Sequence, residues 1–133
     1  MYTTHQKGEI AQLHVQLRAT EKGFTVCLPT VEARYDLILD DSGTLIRGQV
    51  KYADRWVGHG AIELDLRRDT RNVGRKRAYE KSEVDAVIIY VPREDLILWL
   101  PPKVFHKKKT INIRFSPAKN GTKTVFDAKD FIW

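Results

Sequence analysis

Ala33-Arg34-Tyr35-Asp36-Leu37-Ile38-Leu39-Asp40-Asp41-Ser42-Gly43-Thr44-Leu45-Ile46-Arg47-Gly48-Gln49-Val50-Lys51 is the stretch from which the fold can be read. Asp40-Asp41-Ser42-Gly43 is turn chemistry: glycine takes positive φ without steric cost, and short polar side chains bond to nearby backbone. It separates two strand-like runs, 33–39 and 45–51. A hairpin centred on Ser42-Gly43 sets Asp36 opposite Gln49. Strand side chains alternate between faces, so Asp36, Gln49 and Lys51 share one face, while Leu37, Leu39, Ile46 and Val50 point the other way, toward a core. A carboxylate, an amide oxygen and an ammonium on one sheet face can hold a hard cation and activate a water.

On the N-terminal side, Lys7-Gly8-Glu9 opens a helical pattern that runs to Glu21-Lys22, with Gly23 as its stop. Ile10, Leu13, His14 and Leu17 follow helical spacing and are expected to face the sheet. Phe24 to Leu28 reads as a short strand closed by Pro29. It holds the sole cysteine, Cys27, which can form no internal disulfide and is expected as a buried strand thiol.

On the C-terminal side, Ala61 to Leu66 alternates as a half-exposed strand: Ile62, Leu64 and Leu66 on one face, Glu63 and Asp65 on the other. Arg67 to Lys81 is rich in arginine and lysine, has no hydrophobic period and reads as a loop. Ala86-Val87-Ile88-Ile89-Tyr90-Val91 is the most apolar run and reads as a central strand, with Asp85 before it to cap it or to pair with the arginine cluster. Pro92 to Asp95 is a turn, Leu96 to Leu100 a partner strand, and Pro101-Pro102 breaks it. Lys103 to Lys109 is basic, Ile111 to Phe115 a short strand and Ala118 to Thr124 a polar loop. Phe131-Ile132-Trp133 is an apolar tail expected to dock, with a second subunit as one place for it. No repeat, linker or domain boundary interrupts the chain, so residues 1–133 are expected as a single domain. The pattern predicts an α/β fold: a central mixed sheet with an N-terminal helix and few flanking helices, in one sheet layer.

Composition narrows the partners. A chain of 133 residues with 42% hydrophobic content can bury a core, which argues against wholesale disorder. No apolar run approaches the roughly 20 residues of a membrane helix. The polar N-terminus lacks a signal-peptide core, so a soluble, cytoplasmic protein is expected. A net charge of +6 favours a polyanion, most often nucleic acid. His5, His14, His59 and His106 lack metal-ligand spacing, which leaves a zinc enzyme or a Cys/His protease unsupported. His14 reads as a helix-face residue against the sheet. Trp56 could pack under the hairpin or contact a ligand.

Glu9 on the helix, Asp36 on the first hairpin strand, and Gln49-Val50-Lys51 on the second resemble the motifs of the PD-(D/E)XK nuclease superfamily. Together with the Asp85 to Pro92 run, they look most like the small single-domain members that include bacterial intron-encoded homing endonucleases. The likeness covers most of the chain. Tyr35 stands where the pattern has Pro, at a position that does no chemistry. Gln49 stands where an acid is usual and brings a carbonyl oxygen without charge.

The resemblance implies a restriction-endonuclease-like core and a metal-dependent endodeoxyribonuclease that cuts both strands of double-stranded DNA at specific sites. It implies Mg²⁺, with Mn²⁺ as a substitute. Asp36, Gln49, the carbonyl of Val50, and Glu9 directly or through water are the expected metal ligands; Glu9, Asp36, Gln49 and Lys51 are the expected catalytic set. Lys51 would orient the attacking water and offset transition-state charge. Arg67, Arg68, Arg71, Arg75, Lys76 and Arg77, with Lys107 and Lys108, are expected to meet the DNA. One site per subunit implies a homo-oligomer, a dimer or a dimer of dimers, for double-strand cleavage. A branched-DNA nuclease of Holliday-junction-resolvase type and a non-catalytic nucleic-acid-binding module are the alternatives.

Overall fold

The first helix starts at Thr4, with Thr3 as its cap, and not at Lys7. The computed structural model describes residues 1–70, 75–78, 83–116 and 126–133. Helix α1 spans Thr4–Glu21. Thr3 Oγ1 accepts from the Gln6 N–H at 3.1 Å, and Gln6 Oε1 accepts from the Thr3 N–H at 2.8 Å. This reciprocal box satisfies two amides that have no partner inside the helix. It places Glu9 beyond the first turn. The buried stripe also differs from the expected one. Ala11, Val15 and Ala19 face the sheet, whereas Leu13 and Leu17 are 54% and 59% exposed. The sheet surface beneath is already filled by Leu37, Leu39, Val50 and Ile88. The stripe that fits against it carries two alanines, which let the helix backbone come close.

The strands follow in order: β1 (Thr25–Cys27), β2 (Leu37–Asp41), β3 (Thr44–Tyr52), β4 (Trp56–Val57), β5 (Ala61–Asp65), β6 (Arg67–Thr70), β7 (Arg75–Ala78), β8 (Ala86–Val91) and β9 (Leu96–Leu100). After them come the short helix α2 (Pro102–Phe105), β10 (Thr110–Arg114), β11 (Phe126–Asp127) and a 3-10 turn at Ala128–Asp130. The hairpin β2–β3 turns at Ser42 (φ 52) and Gly43 (φ 102), the two positive values of a type I′ turn. Asp40 Oδ1 accepts from the Gly43 N–H at 2.7 Å. The pairing Leu37↔Gly48 through Asp41↔Thr44 is the register expected from the turn. Gly48 sits where a Cβ would meet Leu37 and Ile88 side chains at 3.0 Å, so those side chains close over it.

The main sheet has the order β1-β2-β3-β8-β9. It is mixed: β3 and β8 run parallel, and the other pairs are antiparallel. β8 is buried along its whole length, as its continuous apolar run predicts. One face packs on α1. The other is covered by a second sheet, β11-β10-β5-β4, through Ile62, Leu64, Ile111 and Ile113. That second layer replaces the expected single layer.

Two further expectations change. β1 is an edge strand whose alternation turns Val26 inward and leaves Cys27 exposed. The apolar tail docks on its own chain: Trp99 N–H donates to the Phe131 carbonyl at 2.8 Å, Trp133 N–H to Ile97 at 2.9 Å, and Leu98 bridges Ile132. It covers the β9 edge, which would otherwise present unpaired backbone groups. Among the described residues, no helix is long and apolar enough to cross a membrane.

Candidate active site and nucleic-acid interface

Asp36 stands just ahead of β2, where its N–H donates to the Gly48 carbonyl at 2.9 Å. Its side chain turns onto β3. Oδ2 accepts from the Val50 N–H at 2.8 Å and from Gln49 Nε2 at 2.7 Å. The carboxylate thus acts as the acceptor for a β3 amide at the point where the β2 ladder ends. Two N–H donors fix the carboxylate against the strand. This contact follows from the hairpin register, because Asp36 and Gln49 face each other across it.

Gln49 and Lys51 pair in register with Val87 and Ile89 of β8. They therefore share the sheet face that packs on the second sheet, and both are half-buried. Val50 turns its side chain to the α1 side, and the contact shown for its backbone is the N–H given to Asp36. Glu9 is exposed on α1, two residues from buried Ala11, and α1 lies across the sheet from Gln49 and Lys51. The fold therefore gathers Asp36, Gln49, Val50 and Lys51 on the hairpin, with Glu9 apart on the helix. Lys7 ties the helix start to the end of β3 by an ion pair with Asp54, and its Nζ lies 5.9 Å from the Tyr52 ring centre. The Asp54 hydrogen bond raises the Lys7 pKa above its ordinary value. The sequence reading passed over this pair, since nothing local links positions 7 and 54.

Among the described residues, no group of three or more His, Cys, Asp or Glu side chains could hold a metal. The hairpin itself offers one carboxylate and one amide. A cation there would draw on Oδ1 of Asp36 and, after rotation of the amide, Oε1 of Gln49. Such a sparse set of hard oxygens fits Mg²⁺, which keeps several waters and takes one or two carboxylates plus phosphate oxygens.

Asp85 has a structural role, but with a partner other than the expected cluster. Arg47 Nε donates to Oδ2 at 3.0 Å, Arg47 Nη2 to Oδ1 at 3.0 Å, and the Arg47 N–H to Oδ2 at 2.8 Å. The Asp85 N–H returns to the Arg47 carbonyl at 2.8 Å. This set fastens the start of β8 to β3 one residue before the parallel ladder begins. The Arg47 guanidinium holds the Asp85 carboxyl below the usual carboxylate range. Glu83, which the sequence reading did not single out, is the buried charged residue of the described chain, two positions earlier.

The expected loop after β5 is in part an antiparallel ribbon. β6 and β7 pair with each other from Arg67↔Ala78 to Thr70↔Arg75 and form a separate two-stranded sheet. A ribbon satisfies its backbone across its own hairpin and needs no apolar face, so hydrophobic alternation is absent. Arg67 makes a bidentate pair with Asp65, at 3.0 and 2.9 Å. Arg68, Arg75, Lys76 and Arg77 occupy ribbon positions; Arg71, Lys81 and the Ala118 to Thr124 loop lie outside the described residues. At the ribbon's root, Leu66 N–H donates to the Lys109 carbonyl at 2.8 Å. The Lys107–Lys109 turn therefore adjoins the ribbon, and two basic segments far apart in sequence meet. Lys108 Nζ lies 4.4 Å from the Phe126 ring centre. From the ribbon the chain returns to β8, whose Ala86 pairs with Gly48 beside the hairpin site.

The remaining candidates have packing roles. His14 stacks on Tyr90 at 4.0 Å between centroids, as its helical position suggests. Trp56 packs against Phe115 at 5.2 Å and lies under Arg93.

The family model described as PD-(D/E)XK endonuclease matches residues 2–132. Among solved structures, the chain is similar to the bacterial homing endonuclease I-Ssp6803I. The two are 25% identical, and the match covers 98% of this chain and 89% of that one with a TM-score of 0.78. MepB aligns at 13% identity over 93% of this chain and 88% of that one, with a TM-score of 0.47. No curated protein matches.

Proposed function

The chain belongs to the PD-(D/E)XK endonuclease family, and we propose that it is a Mg²⁺-dependent endonuclease that cuts double-stranded DNA at specific sites. The observation that carries this reading is the Asp36 carboxylate, held by Val50 and Gln49 on the hairpin face that also bears Lys51. The likeness to a homing endonuclease supports the site-specific form of the reading.

Asp36 and Gln49 would hold the ion, with the Val50 carbonyl completing its surroundings. Mg²⁺, when bound, supplies positive charge to the scissile phosphate and makes a water more acidic. Lys51 is the positioned donor. Its ammonium orients the attacking water by hydrogen bonding and offsets the negative charge that develops on the phosphate oxygens. Gln49 contributes orientation without charge. The ribbon and the Lys107–Lys108 turn hold the phosphate backbone. One hairpin site cuts one strand, so a dimer or dimer of dimers, acting inside the cell, completes a double-strand break.

The test is incubation with Mg²⁺, Mn²⁺ or EDTA on a plasmid library and on a synthetic four-way junction. The reading expects metal-dependent linear products from a few plasmids. Cleavage of the junction alone points to a branch-specific nuclease, and binding without cleavage to a DNA-binding module.

A further inference from the structure

Two aspartates grip β3 from opposite sides, one on each flank of Gly48. On the β2 side the ladder ends at Leu37↔Gly48, and Asp36 Oδ2 then accepts from the Val50 N–H at 2.8 Å and from Gln49 Nε2 at 2.7 Å. On the β8 side the ladder begins at Gly48↔Ala86. Just before it, Asp85 Oδ2 accepts from the Arg47 N–H at 2.8 Å and from Arg47 Nε at 3.0 Å. Leu37 and Leu39 of β2, Val50 of β3, and Ala86 and Ile88 of β8 pack toward α1. By alternation Asp36, Arg47, Gln49, Lys51 and Asp85 belong to the opposite face. That face carries two carboxylates and two cations, and Arg47 stands about 6.7 Å along the strand from Gln49.

This placement sets up an electrostatic conflict. A guanidinium so near Asp36 and Gln49 repels a divalent cation there and attracts phosphate. Asp85 meets it with a bidentate pair, Arg47 Nε to Oδ2 and Nη2 to Oδ1, both at 3.0 Å. Anchoring β8 to β3 does not by itself need a charge. The Asp85 N–H gives a backbone bond to the Arg47 carbonyl, and a neutral amide oxygen could take the Arg47 N–H as well. The negative charge adds something that the anchoring does not use.

Resting on the nuclease reading above, we propose that Asp85 is a positioning residue for the cation site. It cancels the Arg47 charge, so that the face bearing Asp36 and Gln49 accepts a divalent ion. Without the Asp85 charge the same face has one carboxylate against two cations, and its preference moves from cation toward phosphate.

The experiment is a charge cycle in the full-length protein: wild type, Asp85→Asn, Arg47→Gln and the double variant, at one ionic strength. The first readout is the Ca²⁺ midpoint of thermal stabilisation, with Asp36→Asn as the marker of the site. The second is duplex DNA affinity in EDTA as a function of salt. Asp85→Asn should raise the Ca²⁺ midpoint roughly three- to tenfold, and Arg47→Gln should lower it by a similar factor. The double variant should return to within about twofold of wild type, although its fold is less stable. DNA affinity should move the opposite way: tighter in Asp85→Asn, with a log K against log salt slope steeper by up to about 0.9, and weaker in Arg47→Gln. A purely structural Asp85 would lower stability without moving either readout in opposite directions. A double variant as weak for Ca²⁺ as Asp85→Asn alone would make Asp85 a ligand of the ion instead. Both results overturn the proposal, as do midpoints unmoved by the variants or by Asp36→Asn, and a wild type that Ca²⁺ does not stabilise. If Asp85→Asn fails to fold, Arg47→Gln decides alone: a lower midpoint supports the proposal, and an equal or higher one overturns it. The nuclease reading fails separately, because a chain that follows this cycle but cuts no DNA keeps the cation site and loses that activity.

Discussion

Gln49 presents its amide nitrogen to Asp36, with Nε2 2.7 Å from Oδ2. An acid at position 49 would set two carboxylates side by side, and without a cation they would repel. Here the pair is satisfied without one, so a metal ion must displace or rotate an amide that is already hydrogen-bonded.

Gln49→Glu should therefore tighten cation binding, because an anionic oxygen replaces a neutral one and the competing hydrogen bond disappears. A titration of thermal stability with Ca²⁺ should show a lower midpoint than wild type. Gln49→Ala should raise the midpoint and slow Mg²⁺-dependent cleavage. No change in either variant would mean that Gln49 takes no part in holding the ion.

Asp36→Asn should abolish cleavage while the fold survives, since the amide oxygen can still accept from the Val50 N–H. DNA binding should hold or improve, because a negative charge near phosphate is gone. Full Mg²⁺-dependent cutting by this variant would remove the hairpin from the chemistry.

Lys51→Ala should leave the cation midpoint of the preceding titration near wild type. Its cost should fall on rate, about 10²- to 10³-fold, the usual effect of removing one positioned donor. Single-turnover cleavage at saturating Mg²⁺ measures this. A shifted metal midpoint with an unchanged plateau would instead make Lys51 part of the cation's surroundings.

Asp85 should give the protein an acid-sensitive contribution to stability. Its carboxyl is held below the ordinary value by the hydrogen bonds from Arg47. A lowered carboxylate pKa stabilises the fold above the unfolded value of about 3.9, and the contribution is lost as pH falls through the folded pKa. Asp85→Asn should flatten the loss of stability that sets in as pH falls below the unfolded value. At neutral pH it should cost about 1 kcal/mol, a charged hydrogen-bond value discounted for solvent exposure. Urea unfolding across pH measures both. Parallel pH profiles for the two proteins would show that Asp85 does not carry the effect.

The hairpin was legible because its determinants are local. A type I′ turn at Ser42-Gly43 twists the chain so that the flanking strands pair, and strict alternation then makes Asp36, Gln49 and Lys51 co-facial. The burial of β8 was legible from its unbroken apolar run. The choice of β8 as the parallel neighbour of β3 was not, since a crossover leaves no mark in either strand and is decided by the core they share. Leu13 and Leu17 outrank Ala11 and Ala19 in hydrophobicity, yet the alanines are buried, because fit against a filled sheet surface selects the face. The Arg67 to Lys81 segment hid its strands because a ribbon paired only with itself needs no apolar face. The Arg47–Asp85 pair, the Lys7–Asp54 pair and the docking of Trp133 on β9 join residues far apart in sequence. Turn geometry and side-chain alternation act between chain neighbours, so the sequence alone determined the hairpin face that bears Asp36, Gln49 and Lys51. Helix orientation, strand order and the joining of the basic segments depend on competition for one core, so only the tertiary structure decided them.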